Sequence, residues 1–341
     1  MGSVCLPQTI TVGLSSVSLS ILLLILVLNT PVRAESCLSA GDMDSGTRSG
    51  LETTARRFFD LTAKGDIAAL QQSAIPSLAS NFSGVESAVK DNQANLTGAQ
   101  ASPRPPFLLQ QQGTTPAERA EFFCGVFGAR GQTADSAVFV IPNLPPGNYG
   151  VVILDVTNSG SSYTLAFVLE QQGPAWKLGG FYAKPSQVGG HDGNWFIQRA
   201  REFKTKGQNH NAWFYFIEAR DLLAPLPFMS TMSTDKAYDE AQTVQPADLP
   251  TDSPVDLAGA KAFKLTSFFP LVVGNELNLV VKYQSADVSN TAHAFQDNVA
   301  VIKAVVAKYP ELRDAFAGVV ARAVEPSGRD YGTMLPMKEI K

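Results

Sequence analysis

His191-Asp192 is the pairing in this chain with acid–base potential, because an imidazole titrates near neutrality and a carboxylate can orient it. It sits between Gly189-Gly190 and Gly193, and adjacent residues in a turn need not point together, so a surface turn is the simpler reading. His191 and Asp192 are kept as candidate ligand contacts. His210 and His293 lie far along the chain, without clustered Cys or Glu partners, so the histidines have no metal-ligand spacing. The sequence contains no phosphate loop, nucleophile elbow or basic tract, and no catalytic residue, metal or cofactor is assigned. The densest chemistry-bearing set is aromatic: Trp195, Phe196, Trp213, Phe214, Tyr215 and Phe216. Such residues gather in docking cores and at interfaces alike, and Trp195, Trp213 and Tyr215 are the candidates for partner contact. Stacking on a saccharide ring is a third use. Asn81-Phe82-Ser83 and Asn95-Leu96-Thr97 match the glycosylation acceptor pattern.

The amino-terminal part sets the compartment. Residues 17–28 are mainly apolar, and Val32-Arg33-Ala34 follows as a small-x-small cleavage signal, so residues 1–34 read as a secretory signal peptide. The protein is expected to be exported, periplasmic or secreted. The alternative is an uncleaved anchor, since residues 12–28 approach the length of a membrane span, and a membrane is a partner only in that case. Removing residues 1–34 takes Arg33 alone of the charged residues, moving the formal charge from −4 to −5. A mildly acidic protein is poorly suited to nucleic acid, which calls for concentrated Lys and Arg. Cys37 and Cys124 would remain of the 3 cysteines. An oxidising compartment permits a bridge between them, and Cys124 would equally suit a core position. Two cysteines make no disulfide scaffold, so stability must come from hydrophobic burial.

These residues must be positioned by elements of two periods. Residues 52–64 place Ala55, Phe58, Phe59 and Thr62 on one helical side, Gly65-Asp66 stops that helix, and Asp66 can cap a second carrying Ile67, Ala69 and Leu70. A polar stretch to about residue 106 reads as loop or short helices. Strand patterns follow at residues 122–127, 137–141, 149–156, 163–169 and 176–182, separated by turn signals such as Asn143 to Asn148. Tyr163, Leu165, Phe167 and Leu169 share one face, while Ala166 and Val168 make the other apolar, as in a strand covered on both sides. Helices first and then a meander predict an α+β domain over residues 50–186.

The helix ending in Phe58-Phe59, the Lys64-Gly65-Asp66 turn, the short second helix and the closing strand at 175–182 resemble the NTF2-like, or cystatin-like, α+β superfamily over residues 50–185. The resemblance implies a curved antiparallel sheet wrapped round helices as a cone, whose cavity is the usual site. Enzymatic members use an Asp–His pair inside that cone, and here no histidine precedes His191. That departure weighs against an enzyme.

Beyond Gly189-Gly190, residues 194–206 and 211–223 read as two helices joined by a Gly-containing turn, within a helical hairpin assigned to 190–245. Residues 193–224 resemble a single tetratricopeptide-like unit, which cannot bury its own face and so packs on a flanking domain or presents a surface to a partner; packing is preferred. Residues 225–260 are rich in Pro, Asp, Ser and Thr, with 246–260 as linker. Strand patterns at 263–269 and 277–283, a helix over 291–309 and a hairpin round 325–330 predict a small ββαββ domain over 261–341. In that helix Phe295, Val299, Ile302, Val306 and Tyr309 form the apolar stripe. The chain is therefore expected to be a multi-domain α+β protein: an exported, non-catalytic binding or interaction protein for an unidentified protein or small molecule. The alternative is a small-molecule enzyme or carrier using the amino-terminal cavity.

Overall fold

The computed structural model describes residues 35–127, 131–251, 253–258 and 262–341. The expected signal peptide or anchor at 1–34 lies outside the described residues. Among the described residues no helix is long and apolar enough to cross a membrane.

The chain enters through β1 (Ser36–Leu38) and then α1 (Ser45–Lys64). Asp44 caps α1 by accepting the Thr47 N–H, and Gly65 ends it at φ 69°, donating to the Leu61 and Thr62 carbonyls. Leu51, Ala55, Phe58, Phe59 and Thr62 are its buried stripe. Asp66 caps α2 (Ile67–Gln72), and α3 (Pro76–Ala79) and α4 (Ser83–Leu96) follow. The 14-residue α4 lies in the stretch read as loop or short helices; its apolar content is sparse, but Val85, Val89 and Leu96 suffice to dock one face.

Next come β2 (Gln100–Pro103), β3 (Phe107–Gln111), β4 (Ala117–Cys124), β5 (Ala137–Leu144), β6 (Gly147–Asn158), β7 (Ser161–Gln172) and β8 (Ala175–Pro185). They do not form one meander. A six-stranded antiparallel sheet runs β1-β3-β6-β7-β8, with β2 also on β6, while β4 and β5 belong to a separate three-stranded sheet. One face of the large sheet, through Val152, Leu154, Val156, Leu165, Phe167 and Leu169, packs on the helices. The other, through Phe107, Leu109, Val151, Ile153 and Ala166, packs on Ala120, Phe122, Ala137 and Phe139 of the small sheet. The domain is thus a three-layer helix–sheet–sheet stack.

This overturns the resemblance to the NTF2-like superfamily. The sheets are flat and not curled into a cone. The physical reason is the apolar character of both faces of β6 and β7: a sheet that must bury both sides is held between two layers and cannot curl round one of them. The space where a cone would open is filled by side chains. Phe167 lies between Phe58 and Phe181, with ring centroids 5.9 and 5.4 Å away. The cone on which the alternative reading placed its cavity is not formed.

Two short strands, β9 (Gln187–Val188) and β10 (His191–Asp192), make a tight turn into α5 (Gly193–Thr205) and α6 (Asn209–Leu223). The segment read as irregular then does two things. It returns to the first domain as β11 (Met229–Thr231), pairing with β5, and it forms α7 (Met232–Gln242), which packs on α6. Thr231 and Thr234 exchange side-chain-to-backbone bonds as a capping box at its start. The helices are therefore not an isolated tetratricopeptide-like unit.

The last part comprises β12 (Val255–Leu257), β13 (Phe263–Val273), β14 (Glu276–Gln284), α8 (Thr291–Lys308), a 3-10 turn (Pro310–Asp314), β15 (Gly318–Val324) and β16 (Asp330–Pro336). The five strands run in sequence order, with β14 and β15 parallel across α8. One apolar core joins this sheet to the hairpin, from Phe196, Phe203, Phe214 and Phe216 to Leu279, Val281, Ile302 and Val319. His210 ties the same parts by polar contacts, with Nδ1 2.8 Å from Glu311 Oε1 and Nε2 2.9 Å from Asp248 Oδ1. The stripe of α8 is rotated from the expected one: Ala294, Asn298, Val301, Ile302, Val305 and Val306 are buried, and Phe295 is exposed. Asn298 fixes that rotation, accepting from Tyr283 Oη and donating to the Tyr331 carbonyl and Thr333 Oγ1.

Candidate functional site

The helix α6 is buried almost all round, because α5 and α7 flank it and β13 crosses it. Among its buried residues is one carboxylate, Glu218. Helical spacing sets Glu218, Asp221 and Leu222 on one side, facing the end of β8 and the second half of β13. Since β12 pairs only with Phe263, Lys264 and Leu265, residues 269–272 of β13 pair with β14 and also line this cleft.

The cleft holds about 370 Å3 and lies at the meeting of the first domain, the hairpin and the last sheet. Pro185, Val188, Ile217, Leu222 and residues 269–272 form its apolar walls. Lys184, Glu218 and Asp221 supply its charges. The Lys184 ammonium is already engaged, donating to the Asp221 carbonyl and lying 3.3 Å from Asp221 Oδ2. Glu218 is only 5% exposed, and no described residue donates to its carboxyl. Burial pushes its pKa up from 4.5 to about 7; the Asp221 charge adds to this and the Lys184 charge opposes it.

Other clefts are differently equipped. One of about 400 Å3, between residues 39–41, the 104–107 segment and β11, carries Arg104 and Asp155, which already face each other in a bidentate pair at 2.6–3.1 Å. Another, of about 510 Å3, lies beside α8 and is lined by Lys264, Asp287, His293 and Asp297. There His293 Nε2 stands 3.8 Å from Asp297 Oδ2, one helical turn on.

The residues singled out from sequence do not converge on one point. Asp192 is the N-cap of α5, accepting the Trp195 N–H at 2.9 Å, so its carboxylate serves the helix. His191 is exposed and stacks on Trp195 with centroids 3.8 Å apart. That stack lies on the surface, Trp195 being 37% exposed. Trp213 is half-buried against the shared core, and Tyr215 is buried, donating to the Ala315 carbonyl at 2.6 Å. Burial pushes the Tyr215 hydroxyl up to about 12. Cys37 and Cys124 form a disulfide that joins β1 of the large sheet to β4 of the small one, and Cys124 is also fully buried. Among the described residues no group of three or more His, Cys, Asp or Glu could hold a metal ion.

Glu218 escaped the sequence reading although a signal was present. It is an acid placed directly between the apolar run 212–217 and Ala219, where the helical period calls for a buried side chain. Compared with protein-family models, curated proteins and solved structures, the chain matches none.

Proposed function

We propose that this is an exported, non-catalytic binding protein whose ligand enters the cleft at Glu218. The observation that carries the reading is the nearly buried side chain of Glu218, to whose carboxyl no described residue donates, set among apolar walls where three parts of the chain meet. Sites for small molecules favour such a composition, an apolar cleft with a few convergent polar groups at a junction of domains. A perturbed acid in a cleft is a further mark of a functional position. Export is supported by the apolar segment 17–28 with its following Val32-Arg33-Ala34, and by the Cys37–Cys124 disulfide, which persists in oxidising compartments.

The test is native mass spectrometry of the protein purified from the exported fraction, alongside Val272→Trp, which fills the cleft from its β13 wall. A small-molecule adduct on the wild type that is lost in the variant is expected. An adduct retained by the variant would place the ligand elsewhere and remove this reading.

A further inference from the structure

Resting on that reading, we infer that the cleft is built for a small organic ammonium ion, its apolar body on the β13 and α6 side chains and its charge on Glu218. The charge count argues for this. The groups facing Glu218 are Asp221 on its own helix and Lys184 from β8, while β13 contributes Phe269, Pro270, Leu271 and Val272 and no charge. With Lys184 donating to Asp221, two carboxylates share one ammonium, and the Glu218 carboxyl is the one left over.

The other ligand classes meet this site badly. A carboxylate or phosphate ligand would bring a third negative charge toward Glu218 and Asp221 with no second cation to meet it. A neutral alcohol or amide could accept from protonated Glu218, but it would leave the site without a counter-charge once the acid ionises. An ammonium group supplies both donors and the counter-charge that Glu218 and Asp221 leave unmatched, and charge-assisted hydrogen bonds are stronger than neutral ones. The volume of about 370 Å3 takes a molecule the size of a phenylalkylamine.

Proton balance gives the proposal its own signature. The ligand stays protonated, and the proton carried by Glu218 is released to solvent as its carboxylate forms the pair. Because burial raises this carboxyl to about 7, protons should be released on binding at pH 7, and few above pH 9.

The experiment is calorimetric titration of the full chain with phenethylamine, and with its neutral isostere 2-phenylethanol, at pH 7 in buffers of different ionisation heat. The amine is expected to bind at least tenfold more tightly than the alcohol and to release protons. Glu218→Gln, checked for folding by its circular dichroism, is expected to lose that tenfold preference and the proton release together. Equal binding of amine and alcohol by the wild type, or an unchanged preference in Glu218→Gln, would overturn the ammonium assignment while leaving the cleft a ligand site. Binding of neither probe, with no adduct on the purified protein, would remove both.

Discussion

At the scale of single residues, Glu218 links the candidate site to the protein's pH dependence. A carboxyl whose pKa is raised on folding binds more protons in the native state than in the unfolded one between pH 4.5 and about 7. Its contribution to stability is therefore fully present below pH 4.5 and lost as pH rises through 7, by about 3 kcal/mol as an order of magnitude. Denaturant unfolding from pH 4 to 8 should show this fall in the wild type and its absence in Glu218→Gln; parallel profiles would mean that the acid is not buried as described. Asn298 gives a second prediction at this scale. Replacing it by Ala strands the Tyr283 hydroxyl and Thr333 Oγ1 and takes a donor from the Tyr331 carbonyl. Losing a buried, fully bonded amide should cost roughly 2–3 kcal/mol, read as a lower urea midpoint. The two residues differ in legibility. Lone polar residues in apolar helical stretches are visible in sequence, but whether each finds partners depends on the neighbouring strands.

Elements show where periodicity was a sufficient guide and where it was not. Strong apolar patterns such as those of α1, β6 and β7 mark their own type, because few other conformations put those side chains on a common face. Weakly patterned elements escaped: α4 and α7 are mostly polar and are held by docking, and β1 and β11 have three residues each and exist only through pairing with β3 and β5. The join of α5 to α6 is tight enough to test. A Cβ on Gly193 would lie 2.6 Å from Leu223 Cγ and 2.9 Å from the Ala219 carbonyl oxygen, so Gly193→Ala must push the helices apart. The expected cost is about 1–3 kcal/mol, measured by thermal or urea unfolding; a neutral result would mean that the helices separate freely. Between β1 and β4 the disulfide spans 87 residues of sequence. Reducing it relaxes a long loop in the unfolded chain and should lower stability by about 3 kcal/mol, seen as a reductant-dependent shift of the unfolding midpoint.

For the molecule as a whole, the shared core of hairpin and last sheet makes an independent hairpin untenable. Residues 187–250 expressed alone should show no cooperative unfolding by circular dichroism, since Phe196, Phe214, Phe216 and Ala219 would lose the sheet they pack on. A cooperative transition from that fragment would show that the helices stabilise one another without it. The same packing makes the cleft dependent on several parts of the chain, because Lys184, Glu218 and Val272 come from three different elements.

By itself the sequence determined the broad class, a multi-domain α+β chain, and the approximate places of its strongly periodic helices and strands. It did so because burying one face imposes a period that the residues themselves display. The tertiary structure decided how the strands divide between sheets, that the first domain is a filled three-layer stack and not a cone, and which side of α8 turns inward. It also decided that Glu218 would be buried against a cleft, with no described residue donating to its carboxyl. Those outcomes depend on which surfaces meet across the chain, and a local period carries no information about its partner.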